Sequence, residues 1–209
     1  NDKETYDLLV ATGDFSGEGQ PKLELYEEKI PLFSSFYAES KLEKALSQKV
    51  WLKSGGYLVI EETEACVVID VNSAKAAGRG DLEKMILKTN LEAAEEAAKQ
   101  MRLRNLSGII IIDFIDMVQE ESRNVLTKTL KAAVEKDRVK TVVVGMTELG
   151  LMQVTRKKTK PSLLKQTTTN CRSCEGSGRV FSVDWTAAKM RRETKTIFAG
   201  TICRKVLVK

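Results

Sequence analysis

Asp70 closes an apolar run, Val67-Val68-Ile69, and Asn72 stands two residues further on. In an extended chain residues i and i+2 share a face, so this carboxylate and this amide point the same way. Asp113 closes a second apolar run, Ile109–Ile112. Two carboxylates and an amide oxygen make a hard site that suits Mg²⁺, which takes one or two carboxylates, keeps water and binds phosphate oxygens. Strand-terminal aspartates also cap turns and helices, and spacing alone leaves that reading open. Asp116, one turn on, reads as a helix cap or a supporting group. Histidine is absent from the chain. That excludes a Ser-His-Asp triad, an HExxH zinc site and any histidine general base.

A second chemistry-bearing pattern is Cys171-Arg172-Ser173-Cys174, followed by Gly176 and Gly178. It reads as half of a zinc knuckle. A tetrahedral structural zinc needs four ligands, and no histidine can complete the set. Cys66 lies in an apolar strand and reads as core; Cys203 near the C-terminus is a weak candidate ligand, and the other solution is a second copy of the same pair from another subunit. A redox pair or two unrelated thiols are the alternatives, but a redox motif follows a strand and opens a helix. Here glycines make a loop.

Basic residues cluster at Arg156, Lys157, Lys158, Lys160 and Lys165, and again over 189–205. Each charge near a phosphate adds affinity through counterion release, although a charge run is also what a solvated face looks like. Aromatic residues are 6% of the chain, so base stacking is no dominant theme. Phe33, Phe36, Phe114, Phe181 and Trp185 read as core.

The 209 residues allow one or two domains. With 42% hydrophobic and 30% charged residues and a net charge of +5, the composition is that of an ordinary globular protein. No apolar run approaches the ~20 residues that span a bilayer. The cysteine usage fits a cytoplasmic location better than a disulfide framework. The chain opens on Asn1 rather than Met, which points to a piece of a larger protein.

These residues need elements to position them. Leu8–Ala11 reads as a short apolar run before a loop holding Gly13, Gly17, Gly19 and Pro21, and Leu23–Tyr26 as a strand. Residues 40–48 read as a short helix. Val50–Leu52 and Tyr57–Ile60 flank Gly55-Gly56, a hairpin signal. Cys66–Asn72 is a strand, turning through 73–80, with Asp81 capping a helix over Leu82–Leu103 whose apolar positions keep helical spacing. Ser107-Gly108 ends it, and Ile109–Phe114 reads as a strand buried on both faces. A helix follows over 120–136, then strands at Thr141–Gly145 and Leu151–Thr155. A strand near Val180–Ser182 and a basic helix over 185–195 come last. The fold class is α/β, a layered mixed sheet with helices. Ligands collect at the carboxyl ends of strands joined by crossover helices, so Asp70 and Asp113 converge if their strands are neighbours.

Several motifs now resemble one family. They are Gly55-Gly56-Tyr57-Leu58-Val59-Ile60 with Glu64-Ala65, Ile69-Asp70-Val71-Asn72-Ser73, and Thr89-Asn90-Leu91-Glu92-Ala93-Ala94. Arg102-Leu103-Arg104-Asn105-Leu106-Ser107-Gly108, Asp113-Phe114-Ile115-Asp116-Met117 and Thr147-Glu148-Leu149-Gly150 continue the match. Thr155-Arg156-Lys157, Pro161-Ser162-Leu163 and the Cys171–Gly178 segment complete it. Together, over residues 20 to 180, they resemble the catalytic region of ribonuclease E/G.

The resemblance implies a Mg²⁺ site at Asp70 and Asp113 with Asn72 as catalytic partner, and a structural Zn²⁺ shared by Cys171 and Cys174 of two chains. It implies a partial RNase H-like subdomain over 1–45, a DNase I-like catalytic subdomain over 46–167, a zinc link over 168–181 and the start of a small dimerisation domain over 182–209. The family's N-terminal RNA-binding and 5′-end-sensing parts are not in this sequence. The implied activity is Mg-assisted endonucleolytic hydrolysis of single-stranded RNA in RNA processing and decay, leaving 5′ phosphate and 3′ hydroxyl. The implied assembly is a zinc-linked homodimer, with a tetramer as a dimer of dimers. Arg156, Lys157, Lys158 and Lys160 are the expected RNA contacts. The alternatives are a non-catalytic RNA-binding and assembly module and, more distantly, a Mg²⁺-dependent DNA nuclease or phosphomonoesterase.

Overall fold

The computed structural model describes residues 2–13, 22–73, 82–200 and 205. The glycine loop around 14–21, the turn over 74–80 with its Asp81 cap, and Cys203 lie outside them. The described chain separates into two units, residues 1–166 and 167–209.

Three helices open the first unit: α1 (Lys3–Thr12), α2 (Leu32–Ser35) and α3 (Ala38–Leu46). The apolar run at Leu8–Ala11 belongs to α1. Asp2 caps it by accepting the Thr5 N–H at 3.2 Å, and Gly13 closes it. Such a cap satisfies a donor that the helix cannot. Residues 22–28, expected to include a strand, have no regular structure, because an extended segment needs a neighbouring strand to satisfy its backbone.

The sheet is built from β1 (Lys49–Trp51), β2 (Tyr57–Glu62), β3 (Cys66–Asn72), β4 (Gly108–Asp113), β5 (Thr141–Met146) and β6 (Leu151–Arg156). Between β3 and β4 runs α4 (Leu82–Leu103), and between β4 and β5 runs α5 (Glu120–Val134). The strand order is β1-β2-β3-β4-β6-β5. Among the described strands only β3 and β4 pair in parallel, and the other pairs are antiparallel. The parallel pair is the one that α4 connects, as a crossover must.

One core fills the space between sheet and helices. Leu58, Ile60, Ile69, Val71, Ile110, Ile112, Met152 and Val154 meet Ala93, Ala97, Met101, Leu126 and Leu130. Each fully buried Ile or Leu contributes roughly 1.5–3 kcal/mol. The small face of α4 (Ala93, Ala94, Ala97, Ala98) lies wholly inside.

Among the described residues the other face of the sheet is only partly covered. Along β4 burial alternates: Ile110 and Ile112 are inaccessible, whereas Ile109 is 53% exposed. The expectation of burial on both faces is therefore corrected. An unbroken Ile run cannot distinguish the two cases; the covering layer decides.

Helix α4 ends through its backbone rather than at Ser107-Gly108. Asn105 adopts a left-handed conformation (φ 50°). Its N–H bonds to the Arg102 carbonyl at 3.3 Å, and the Leu106 N–H to the Met101 carbonyl at 3.0 Å. This is a Schellman closure, with asparagine in the position glycine usually takes.

The short α6 (Leu163–Thr167) follows the sheet, and α7 (Val183–Gly200) is the main element of the second unit. Residues 180–182 form no strand, and among the described residues of that unit there is none to pair with. Of the five aromatics expected in a core, only Phe114 is buried; Phe33, Phe36, Phe181 and Trp185 are exposed. Phe181 stacks on Trp185 at 6.0 Å instead.

Candidate active site

The parallel register sets Asp70 directly beside Asp113. Neighbouring strands lie about 4.8 Å apart, so two like charges share the carboxyl end of the β3–β4 pair. Both carboxylates are exposed, and Asn72 is half-buried. The Asn72 amide donates to Asp70 Oδ2 at 2.7 Å, which fixes one carboxylate in place. Among the described residues no lysine or arginine pairs with either aspartate. Nor do the described residues include a group of three or more His, Cys, Asp or Glu arranged for a metal. The donor set is two carboxylates and an amide, open on one side.

Register places other side chains on the same open face. The row through the aspartates runs Lys49, Val59, Asp70, Asp113, Leu151. The next row is Trp51, Tyr57, Asn72.

Two contacts that sequence reasoning missed shape this end of the sheet. Asn90 of α4 is wholly buried, donates to the Ile115 carbonyl at 2.8 Å and accepts from the Ile115 N–H at 3.1 Å. It thereby holds the backbone just after Asp113. Gly56 lies so close to the Asn72 carbonyl oxygen that a Cβ would sit 2.7 Å from it. The signal for Asn90 was present, as a polar residue in the apolar stripe of α4.

Glu92 anchors the β1–β2 turn by accepting from the backbone N–H groups of Lys53 and of Ser54, the latter at 2.9 Å. Burial pushes its carboxyl upward. The hydrogen bonds from Ser54 and Lys53 and the charge of Lys53 outweigh that and leave it below its ordinary value.

The basic run divides. Arg156 is not a surface residue: its side chain is 3% exposed. Its Nε meets Asp137 Oδ2 at 2.7 Å, and its Nη1 meets Asn105 Oδ1 and the Leu106 carbonyl, each at 2.9 Å. As the last residue of β6 it alternates inward, so the expected phosphate contact is corrected to a structural one. Lys157, Lys158 and Lys160 are exposed. Lys158 and Lys160 line a cleft of about 300 Å³ with Lys165, Glu62 and Glu64. This cleft lies at the opposite end of β3 and β4 from the aspartates, roughly 15 Å away at 3.3 Å per residue.

In the second unit Cys171 is exposed and Cys174 half-buried. Glu175, Gly176 and Gly178 all take positive φ and fold the chain back after the pair. Hydrogen bonds from the backbone of Ser173 and Cys174, and from the Cys174 side chain, hold the Cys171 thiol below its ordinary value. Donors aimed at a sulfur favour its thiolate, the form that binds a metal.

The ribonuclease E/G family model matches residues 1–159. The chain is 44% identical over 190 residues to ribonuclease G of Escherichia coli K12, covering 90% of this chain and 39% of that protein. It is 42% identical over 177 residues to ribonuclease E of the same organism, covering 83% of this chain and 17% of that one. With the chloroplastic ribonuclease E/G-like protein of Arabidopsis thaliana it shares 40% over 187 residues, 88% of this chain and 18% of that one. The chain thus spans about two fifths of the ribonuclease G relatives it matches.

Proposed function

Because this chain belongs to the ribonuclease E/G family, we propose that it is the catalytic region of an endoribonuclease that cleaves single-stranded RNA at the Asp70–Asp113 pair. The observation that carries this reading is the register pairing of the two aspartates, with Asn72 bonded to one of them. Like charges placed side by side repel. A sheet that keeps them exposed, adjacent and without a described cationic partner is poised for a divalent cation. Asp70 and Asp113 would hold Mg²⁺, which supplies Lewis-acid polarisation of a phosphate oxygen and a more acidic water. Asn72 positions the Asp70 carboxylate. The open sheet face admits an extended strand. With no histidine in the chain, no imidazole takes part in proton transfer. The products would carry 5′ phosphate and 3′ hydroxyl.

The Cys171–Cys174 turn fits half of a tetrahedral thiolate site, and we place its other half in a second copy of the chain. A zinc-linked homodimer follows, with a tetramer as its doubling. The free thiols favour the cytoplasm. Among the described residues no helix is long and apolar enough to cross a membrane.

The test is cleavage of an end-labelled single-stranded RNA with Mg²⁺ or with chelator, comparing the chain with Asp113→Asn and Asp70→Asn. Loss of cleavage in both variants, with Mg²⁺-dependent thermal stabilisation also lost, supports the reading. Cleavage within threefold of the unsubstituted chain, about 0.65 kcal/mol of barrier, refutes the metal assignment. RNA binding without any cleavage would favour the assembly-module alternative.

A further inference from the structure

We propose that Trp51, Tyr57 and Lys49 form a stacking shelf that holds one base of the RNA strand beside the aspartate pair. The proposal rests on the RNA reading above and adds a subsite to it.

The three residues share the open face, because β1 and β2 pair with Trp51 opposite Tyr57 and Lys49 opposite Val59. The ring centroids of Trp51 and Tyr57 lie 5.3 Å apart with their planes tilted by 59°. Lys49 Nζ stands 4.4 Å from the indole centroid and 3.5 Å from the phenol centroid. Among the described residues Lys49 pairs with no carboxylate.

Three features separate this cluster from ordinary hairpin packing. An aromatic pair that serves a core buries most of its area, yet Trp51 is 66% exposed while its neighbour Leu52 is buried. The turn that carries it is anchored to α4 by Glu92, so the rings are held on a rigid base. And Tyr57 stands opposite Asn72 in the register, with Asp70 one row along. Two strand spacings and one row put Trp51 roughly 12 Å from Asp70 between Cα atoms. Every base offers a π-face, and Lys49 Nζ lies over one face of the exposed indole, so a base fits against the other face and the ammonium takes the neighbouring phosphate.

The chain has two tryptophans, Trp51 and Trp185. In a Trp185→Phe background, Trp51 is therefore its own reporter. The probes are an oligoadenylate and an abasic oligonucleotide of the same length, titrated without divalent metal so that nothing is cut. The oligoadenylate should quench Trp51 emission and the abasic strand should not. Trp51→Ala should weaken oligoadenylate binding by roughly 5- to 140-fold, the range that stacking of one base provides. Trp51→Phe should keep most of the affinity. Lys49→Ala should lower the log–log salt slope by about 0.7, and Trp51→Ala should leave it unchanged. Binding without quenching, with Trp51→Ala equal to the parent, overturns the shelf and leaves the RNA reading standing. Failure of the parent to bind either strand overturns the RNA reading, and the shelf with it.

Discussion

Replacing Arg156 by Ala should cost the sheet unit about 4 kcal/mol, and none of that loss should trace to RNA. The guanidinium lies within the fold and donates to the Asp137 carboxylate, to Asn105 Oδ1 and to the Leu106 carbonyl. It joins the end of β6 to the α4 terminus and to the turn before β5. Removing one partner of a buried pair costs about 3–5 kcal/mol, because the other charge stays buried and uncompensated. For a chain of this size each kcal/mol shifts Tm by about 2–4 °C, so a drop of roughly 8–16 °C is expected. The measurement is thermal and urea unfolding of Arg156→Ala beside Lys157→Ala, whose exposed side chain should change stability by no more than about 0.5 kcal/mol.

The pH dependence supplies a second readout of the same pair. Burial pushes the Asp137 carboxyl up. The Arg156 hydrogen bond, the Val139 N–H, the Arg156 charge and the Thr141 hydroxyl outweigh it and bring it below 3.8. A carboxyl lowered in the folded state stabilises the fold fully above its unfolded value and loses that contribution as pH falls through the folded one. The gap between the parent and Asp137→Asn should thus be full at pH 7 and shrink below about pH 4. A loss under 1 kcal/mol for Arg156→Ala, together with a reduced salt slope for RNA binding, would show that Arg156 is a surface phosphate contact after all.

Asn90→Ala leaves the Ile115 N–H and carbonyl without their partner, and at ~1–3 kcal/mol each the unfolding free energy should fall by about 2–6 kcal/mol, with cleavage reduced in whatever fraction stays folded. Gly56→Ala drives a methyl to 2.7 Å from the Asn72 carbonyl oxygen and 3.1 Å from Thr89 Cγ2. It should cost about 1–3 kcal/mol in urea unfolding and lower kcat more than a surface Gly→Ala control. Elemental analysis with native mass should give one zinc per two chains, and Cys171→Ser should release both the metal and the dimer. One zinc per monomer would instead point to Cys66 or Cys203 as added ligands.

Much of this protein was legible from local pattern. The 22-residue helix α4 carries its period in its own residues and was expected over the span it occupies. The Gly55-Gly56 hairpin, β3 and β4 were also readable, because turn chemistry and apolar runs act between near neighbours in the chain. The aspartates could be singled out as residues that end such runs, and their ribonuclease-like setting was visible in the order of motifs. Tertiary structure alone decided the rest. Whether Asp70 meets Asp113 depends on strand order, which no local rule sets. Whether the Ile run of β4 is covered on one face or two depends on where the helices land. The lysines after β6 stay at the surface, whereas Arg156 turns inward, because strand alternation gives successive residues opposite faces and only the packed sheet shows which face is the core. Trp51 lies two strands and one row from Asp70 through the register of the consecutive strands β1, β2 and β3, and hairpin signals in the sequence mark the turns without fixing that register.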